Sequence, residues 1–468
     1  MTVDLKNLTL PFLLALLCVT CRKASFTDDP EAQPKLGIDT LQFDTVFVTA
    51  GSITRSFKIF NGNDKGIRLS SVRLAGGSAS PFRINVGGTP GPEVEDIEIA
   101  ANDSTYIFAT VTVDPGGANL PFLVRDSIEV KTNGRSQFVQ LQAYGKNARF
   151  LRNRKITGTE TWNDDLPYVI LGSLTVEASG SLLIDRGCRI FIHADAPFIV
   201  NGTLEVKGEQ WDSTRVVFSG DRLDPPYNNY PASYPGLIFT KTSRNNSIRY
   251  ATIKNAYQGI VVAEPAVTTA PKLVVYQTII DNAYDAGLLG INSSIRAENL
   301  LISNCGKNLA LVGGGDYAFS HCTVETVSNP FVEHKEPVLY VSNAADNTTP
   351  PMQLTALFRN CIFWGEKNGL VTDEVVVSKT GGTPYNVLFE GVLWRVQNSP
   401  AAATTAGSVI NNQSPLFDSI NAARNFYSFR LKEGSPAMDK GSASSVPIDL
   451  DGAARPVRLP DLGAYEKQ

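Results

Sequence analysis

Between residues 168 and 218 short apolar, β-branched runs alternate with glycines at nearly regular spacing, and no helical period appears. Tyr168-Val-Ile-Leu-Gly172, Leu182-Leu-Ile-Asp-Arg-Gly187, Phe198-Ile-Val-Asn-Gly202 and Leu204-Glu-Val-Lys-Gly208 show the rhythm, which runs on to Val216-Val-Phe218. Each run predicts a strand, and each glycine a corner that a residue with a Cβ would resist. Strands this short, turning this often, do not make long hairpins. They predict a chain that winds, each coil stacking on the one before.

Later coils align by eye. Arg249-Tyr-Ala-Thr252-Ile-Lys-Asn255-Ala-Tyr257-Gln-Gly259 matches Val275-Tyr-Gln-Thr278-Ile-Ile-Asp-Asn282-Ala-Tyr284-Asp-Ala-Gly287. Thr278, Leu300 and Cys322 then fall 22 residues apart, one coil per step, and Cys361 and Val392 follow at longer intervals that imply inserted loops. The alignment puts Cys322 and Cys361 in one inward column. About ten coils at roughly 4.8 Å per step would make a stack about 50 Å long. Asn255, Asn282 and Asn304 are expected to stack as an amide ladder at a left-handed corner.

Ahead of these coils the pattern changes. Period-2 alternation in 40–48, 54–60, 105–113, 126–131 and 137–143, separated by turn clusters, predicts an antiparallel β-sandwich of about seven strands over 36–147.

The glycine-punctuated stretch, with Tyr234-Pro-Gly236-Leu-Ile-Phe239 after it, resembles the opening of right-handed parallel β-helix proteins of the pectate-lyase-like kind. The resemblance implies an all-β chain: an N-terminal β-sandwich, a right-handed parallel β-helix over 149–410, and C-terminal coils and a cap over 411–468. Asn61, Phe82-Arg-Ile-Asn85, Asp114-Pro115 and Ala143-Tyr-Gly145 are similar to residues of the immunoglobulin-like modules of Bacteroidetes surface lipoproteins. Residues 434–441, 449–456 and 461–466 resemble the terminal segment of secreted bacterial β-helix proteins. There Asp449-Leu-Asp451-Gly reads as part of a cap held by aspartate–Arg455 hydrogen bonds rather than as a calcium loop. The β-helix fold hosts lyases, glycosidases, adhesins and spacers alike, so it does not name a function.

Export is expected from the N-terminus. Leu8 to Thr20 is an apolar run too short to span a bilayer and suited to a signal peptide over 1–20. It stops at Cys21, before Arg22-Lys23, and resembles a bacterial lipoprotein signal in which Cys21 becomes the acylated N-terminus. Cys18 is a second candidate, and 21–35 reads as a polar tether. The implied location is the outer membrane, facing the periplasm or the surface, with membrane contact through the lipid alone. A net charge of -4 points to no nucleic acid. Cys188, Cys305, Cys322 and Cys361 form no close pairs in sequence and read as small buried hydrophobes.

Catalytic motifs are absent: no Gly-x-Ser-x-Gly, no His-Glu-x-x-His, no phosphate loop and no acidic cluster of the calcium-dependent lyase type. With 3 histidines, widely separated, a histidine metal site is not expected, nor is a cofactor. Asp281, Asp285, Glu298, Asp316, Glu333 and Glu336 are isolated acids that read as turn residues. The loop over 211–234 instead sets Tyr227, Tyr230 and Tyr234 among prolines and asparagines, a composition suited to stacking on sugar rings. The plainer reading is that the loop folds back and covers the helix with its own tyrosines. Tyr257 and Tyr284, one coil apart, make either a binding platform or a stacked pair. Two function classes follow. One is a non-catalytic cell-envelope lipoprotein whose β-helix binds polysaccharide, cell-surface glycan or another surface partner through its long groove. The other is a polysaccharide lyase or glycoside hydrolase working in the groove. The scarcity of histidine and the missing acidic cluster favour the first. A lyase using a lone lysine or arginine as base stays open, as does a structural spacer.

Overall fold

The computed structural model describes residues 25–47, 54–112, 122–223, 226–346, 348–367, 369–456 and 459–468. The expected signal peptide, Cys18 and Cys21 lie outside the described residues. The chain forms two compact units, one ending at Asn147 and one running from Ala148 to Gln468.

The first unit is a sandwich of two five-stranded sheets. One sheet orders Lys35–Leu36, Arg55–Phe60, Ser104–Val111, Phe82–Val86 and Thr89–Gly91. The other orders Thr40–Phe47, Arg135–Lys146, Phe122–Thr132, Ile67–Leu74 and Glu93–Ile99. Alternate side chains, among them Phe57, Ile59 and Ile107 from one sheet and Leu41, Val139 and Leu141 from the other, are buried. Phe43 meets Phe82 with ring centroids 5.7 Å apart. The sandwich is not wholly antiparallel, because Thr40–Phe47 runs parallel to Arg135–Lys146. Ile67–Leu74 escapes the alternation pattern because a bulge between Leu69 and Ser71 shifts its buried set to Ile67, Leu69, Val72 and Leu74. The segment expected as a tether is described from Ser25 and lies against the sandwich. Phe26 bridges Gly66, and Gln33 Nε2 donates to the Thr132 carbonyl at 3.1 Å.

The second unit is a parallel β-helix whose 23 strands form one sheet that turns through three faces per coil. Face A collects residues 168–170, 189–192, 216–220, 251–254, 279–281, 301–303 and 323–326. Face B collects 174–176, 198–200, 237–239, 258–263, 286–291 and 307–312. Face C collects 181–185, 203–207, 246–249, 273–276, 295–298 and 315–320. In-register pairing stacks like on like: Ile253 on Ile280, Ile280 on Ile302, Ile302 on Val324. Inside, Phe319, Phe358 and Phe389 stack at 5.6 and 4.8 Å. Cys322 and Cys361 are buried free thiols, as the 22-residue alignment implies.

The corners explain the punctuation. Gly202 sits so close over the previous coil that a Cβ there would fall 2.2 Å from the Gly180 carbonyl oxygen. Between faces A and B, Asn255, Asn282 and Asn304 have φ of 65°, 55° and 54°, the left-handed region that asparagine tolerates. Asn282 Nδ2 donates to Asn255 Oδ1 at 2.9 Å, but Asn304 leaves the ladder and donates to Asp281 Oδ1 at 3.0 Å. Between faces C and A a second set of left-handed corners runs through Tyr250, Gln277, Asn299, His321 and Asn360.

The terminal segment runs along the side of the helix. Phe417, Phe429, Leu450, Leu462 and Tyr465 pack with Leu301, Ile362 and Leu393, which point outward from face A. Arg215 donates to the Leu450 carbonyl at 2.9 Å, Asn299 to Ile448 at 2.8 Å and Asn360 to Ser442 at 2.9 Å. Face A is therefore buried on both sides over these coils, with apolar outward residues at Leu301, Ile362 and Leu393 and buried polar ones at Ser303 and Glu325. The expected aspartate–Arg455 bonds are replaced. Arg455 pairs with Glu466 at 2.7 Å and donates to Asn299 Oδ1 and the Gly463 carbonyl, because Asp449 already accepts the Asp451, Ala453 and Glu466 amides.

Both members of the Arg455–Glu466 pair are almost fully shielded from solvent. Arg455→Ala is expected to destabilise the terminal segment by about 3–5 kcal/mol, the cost of an uncompensated buried charge. Limited proteolysis should then cut within 411–468 before the helix unfolds, and adding Glu466→Gln should restore part of the loss. Unchanged protection in Arg455→Ala would refute this account of the clasp.

Candidate functional site

The tyrosine loop leaves face A after Gly220 and returns to face B at Leu237. The asparagine ladder holds it in place: Asn255 Nδ2 donates to the Asn228 carbonyl at 2.7 Å and Asn282 Nδ2 to the Asn229 carbonyl at 2.9 Å. These bonds fix a 3-10 turn, Tyr227–Asn229. Tyr227 is exposed, with the Arg222 guanidinium 3.8 Å above its ring and Tyr230 edge-on at 5.1 Å. Tyr230 is half-buried and packs on Phe331 at 4.7 Å. Tyr234 behaves differently. It is 1% exposed, bridges Ala256 and belongs to the interior cluster, and burial pushes its hydroxyl far above the ordinary range. Contrary to expectation, Tyr234 is not positioned to contact a carbohydrate, because its ring fills the core that the returning loop has to close.

Tyr257 and Tyr284 follow the ladder asparagines by two residues. Their rings stack at 5.8 Å with an interplanar angle of 27°, and they stay 46% and 53% exposed. Beside Tyr284 a cavity of about 590 Å3 is bounded by that ring, Asp285, Lys307, Phe331, Glu333 and Lys335, among others. Asp285 accepts from Gln258 Nε2 at 2.7 Å and from Lys307 Nζ at 3.1 Å. Glu333 pairs with Lys335 at 2.7 Å. Phe331 and the turn around it carry no motif. Their only trace in the sequence is the long interval from Cys322 to Cys361, which marks an insertion at that coil.

Three of the isolated acids, Asp285, Glu333 and Glu336, line that one cavity; Asp281, Glu298 and Asp316 are not among its lining residues. Asp316 pairs with Arg296 at 2.7 Å, and Asp281 accepts from Ser303 at 2.7 Å and from Asn304. Burial raises the Asp281 pKa against those bonds, and burial likewise raises that of Glu298. The acid that sequence reasoning missed is Glu325, two coils beyond Asp281 in the same outward column of face A. It is fully buried and its Oε2 has no hydrogen-bond partner. Burial, then the nearby carboxylates of Glu374, Glu366 and Asp281, push its pKa well up. Of the bases, Lys272 is pushed down to about 8 by burial, yet its ammonium donates to the Thr240, Lys241 and Ala263 carbonyls and is held as a structural tie. His321 is pushed down to about 3 by burial and by Arg455, and serves as a neutral corner residue bonded to Asn360. His193 meets Asp221 at 2.7 Å at the root of the tyrosine loop.

No protein-family model and no curated protein matches the chain. Among solved structures it is similar to the catalytic unit of a thermostable GH87 alpha-1,3-glucanase from Streptomyces thermodiastaticus strain HF3-3. That likeness covers 76% of this chain and 88% of that one at 10% identity, with a TM-score of 0.20. It is similar to a family 123 glycoside hydrolase from Clostridium perfringens over 28% of this chain and 27% of that one, at 13% identity and a TM-score of 0.20. It is also similar to the periplasmic chaperone SfaE over 24% of this chain and 57% of that one, at 13% identity and a TM-score of 0.18. The chain thus spans about a quarter of that hydrolase and little over half of the chaperone. Scores this low carry no weight for fold or function.

Glu325 generates a pH prediction. Its pKa is raised in the fold, so the folded state binds the proton more tightly than the unfolded chain, whose glutamate titrates near about 4.3. The stability it confers is complete below that value and is lost as pH rises toward the folded pKa. Glu325→Gln cannot ionise. It is expected to raise Tm at pH 8 and to leave it unchanged at pH 4, as read by thermal melts at the two values. A variant less stable than the parent at pH 8 would refute a neutral Glu325.

Proposed function

We propose that this chain is an exported cell-envelope lipoprotein, anchored through Cys21, whose β-helix binds a polysaccharide at the corner between faces A and B without cleaving it. The immunoglobulin-like reading of the N-terminal sandwich makes it a docking or spacing module. The observation that carries the reading is the outward, stacked Tyr257–Tyr284 pair, whose Tyr284 borders an open cavity together with Phe331. Aromatic faces shed water readily against the apolar face of a sugar, and a few placed polar groups orient its hydroxyls. Hydrolysis would need two carboxyls set across the ligand, one of them free to hold a proton. Asp285 and Glu333 are each tied in an ion pair, which favours binding over turnover.

A glycan array with a parallel depolymerisation screen tests this. Tyr257→Ala and Tyr284→Ala are each expected to weaken binding roughly two- to tenfold, the worth of one aromatic contact. Tyr234→Phe serves as a control for loop closure, where no loss is expected. Release of shortened products from any glycan would replace this reading with the lyase or hydrolase one, and silence in both assays would favour the spacer. For the anchor, labelled palmitate is expected on the parent and absent from Cys21→Ser; label kept by that variant would move the modified residue to Cys18.

A further inference from the structure

We infer that the glycan this surface takes is neutral rather than uronic or sulfated, an inference that rests on the carbohydrate reading above. Charges at the cavity decide it. Two ammonium groups, Lys307 and Lys335, line the cavity against three carboxylates, Asp285, Glu333 and Glu336. Each ammonium already has an acid within bonding distance, Lys307 with Asp285 at 3.1 Å and Lys335 with Glu333 at 2.7 Å. No arginine lines the cavity, so the planar fork that grips a carboxylate or sulfate with two bonds is missing there. The guanidinium at the neighbouring tyrosine loop, Arg222, lies over the Tyr227 ring at 3.8 Å. A polyanion entering this cavity would meet net negative charge, or would have to break an ion pair to find a cation. A hydroxyl faces no such cost. It can donate to Asp285 or Glu336 and accept from an ammonium without displacing either partner.

Another cavity, about 570 Å3 on face C, obeys the same rule. Its Arg186 pairs with Glu209 at 3.0 Å, its Lys207 with Glu205 at 3.1 Å, and its Arg249 lies over the Tyr276 ring at 5.4 Å. That cavity therefore offers no ready track for a polyanion.

The test measures binding of the full chain to neutral glucans and mannans and, separately, to polygalacturonate and a sulfated galactan, each at low and moderate salt. The expected result is retention of a neutral polymer alone, with affinity changing less than about twofold between 20 and 300 mM salt, since uncharged ligands escape screening. Glu333→Gln releases Lys335 from its pair and is expected to raise affinity for polygalacturonate, relative to the neutral ligand, by roughly two- to fivefold, the worth of one exposed ion pair. Tighter retention of either polyanion, or binding that weakens steeply with salt, overturns the charge assignment and leaves the carbohydrate reading standing. Retention of neither class overturns the carbohydrate reading and this inference with it.

Discussion

A coil of this helix cannot satisfy its own backbone. The amides and carbonyls of a strand such as Ile279–Asp281 bond to Thr252–Lys254 on one side and to Leu301–Ser303 on the other, so each coil is stable only between neighbours. In-register stacking is then obligatory, and the corners must repeat with the strands. A corner that drifted by one residue would turn every inward side chain of the next strand outward. The left-handed residues do this work: one asparagine between faces A and B and one residue between faces C and A turn the chain in the least possible length. The same asparagines use their side-chain amides to hold the tyrosine loop, so the constraint that builds the helix also places its most prominent aromatic residues.

How much of this was legible follows from chemistry rather than from effort. Asn255, Asn282 and Asn304 announce a left-handed corner because asparagine is among the few residues that tolerate one. Tyr250 and Gln277 occupy equivalent corners on the other edge and announce nothing, since neither residue type marks that conformation. The inward column of Thr278, Leu300 and Cys322 was readable from spacing alone. The lateral course of residues 411–468 leaves only a faint trace in the sequence. Where face A is covered, its strands lose their polar alternation, as in Leu300-Leu301-Ile302 and Cys361-Ile362-Phe363, whereas strands with one wet face, such as Thr203–Lys207, keep it.

For the site, the sequence identified rings but not their surroundings. Tyr257 and Tyr284 could be placed one coil apart from the repeat itself. Burial of Tyr234 could not be told from exposure of Tyr227, because both sit in one loop of uniform composition and only closure of the loop onto Ala256 separates them. Phe331 and the ion pairs beside it depend on how an inserted loop folds back, which no local pattern encodes. Glu325 was hidden for a different reason: an acid on an outward position reads as solvated unless the segment that covers it is known.

The clasp along face A also has a bearing on how such a chain can change in length. A stack of near-identical coils can in principle gain or lose one by duplication or deletion, since a new coil bonds its neighbours as the old one did. Here Arg215, Asn299 and Asn360 hold fixed points of a single terminal segment, at Leu450, Ile448 and Ser442. Between Arg215 and Asn360, an extra coil would carry one anchor about 4.8 Å away from its mate while leaving the others in place. The terminal segment thus acts as a ruler for the coils it spans. Growth of the helix is confined to coils outside the stretch from Arg215 to Asn360, and variation within it must take the form of loops bulging from the corners, as the insertion bearing Phe331 does.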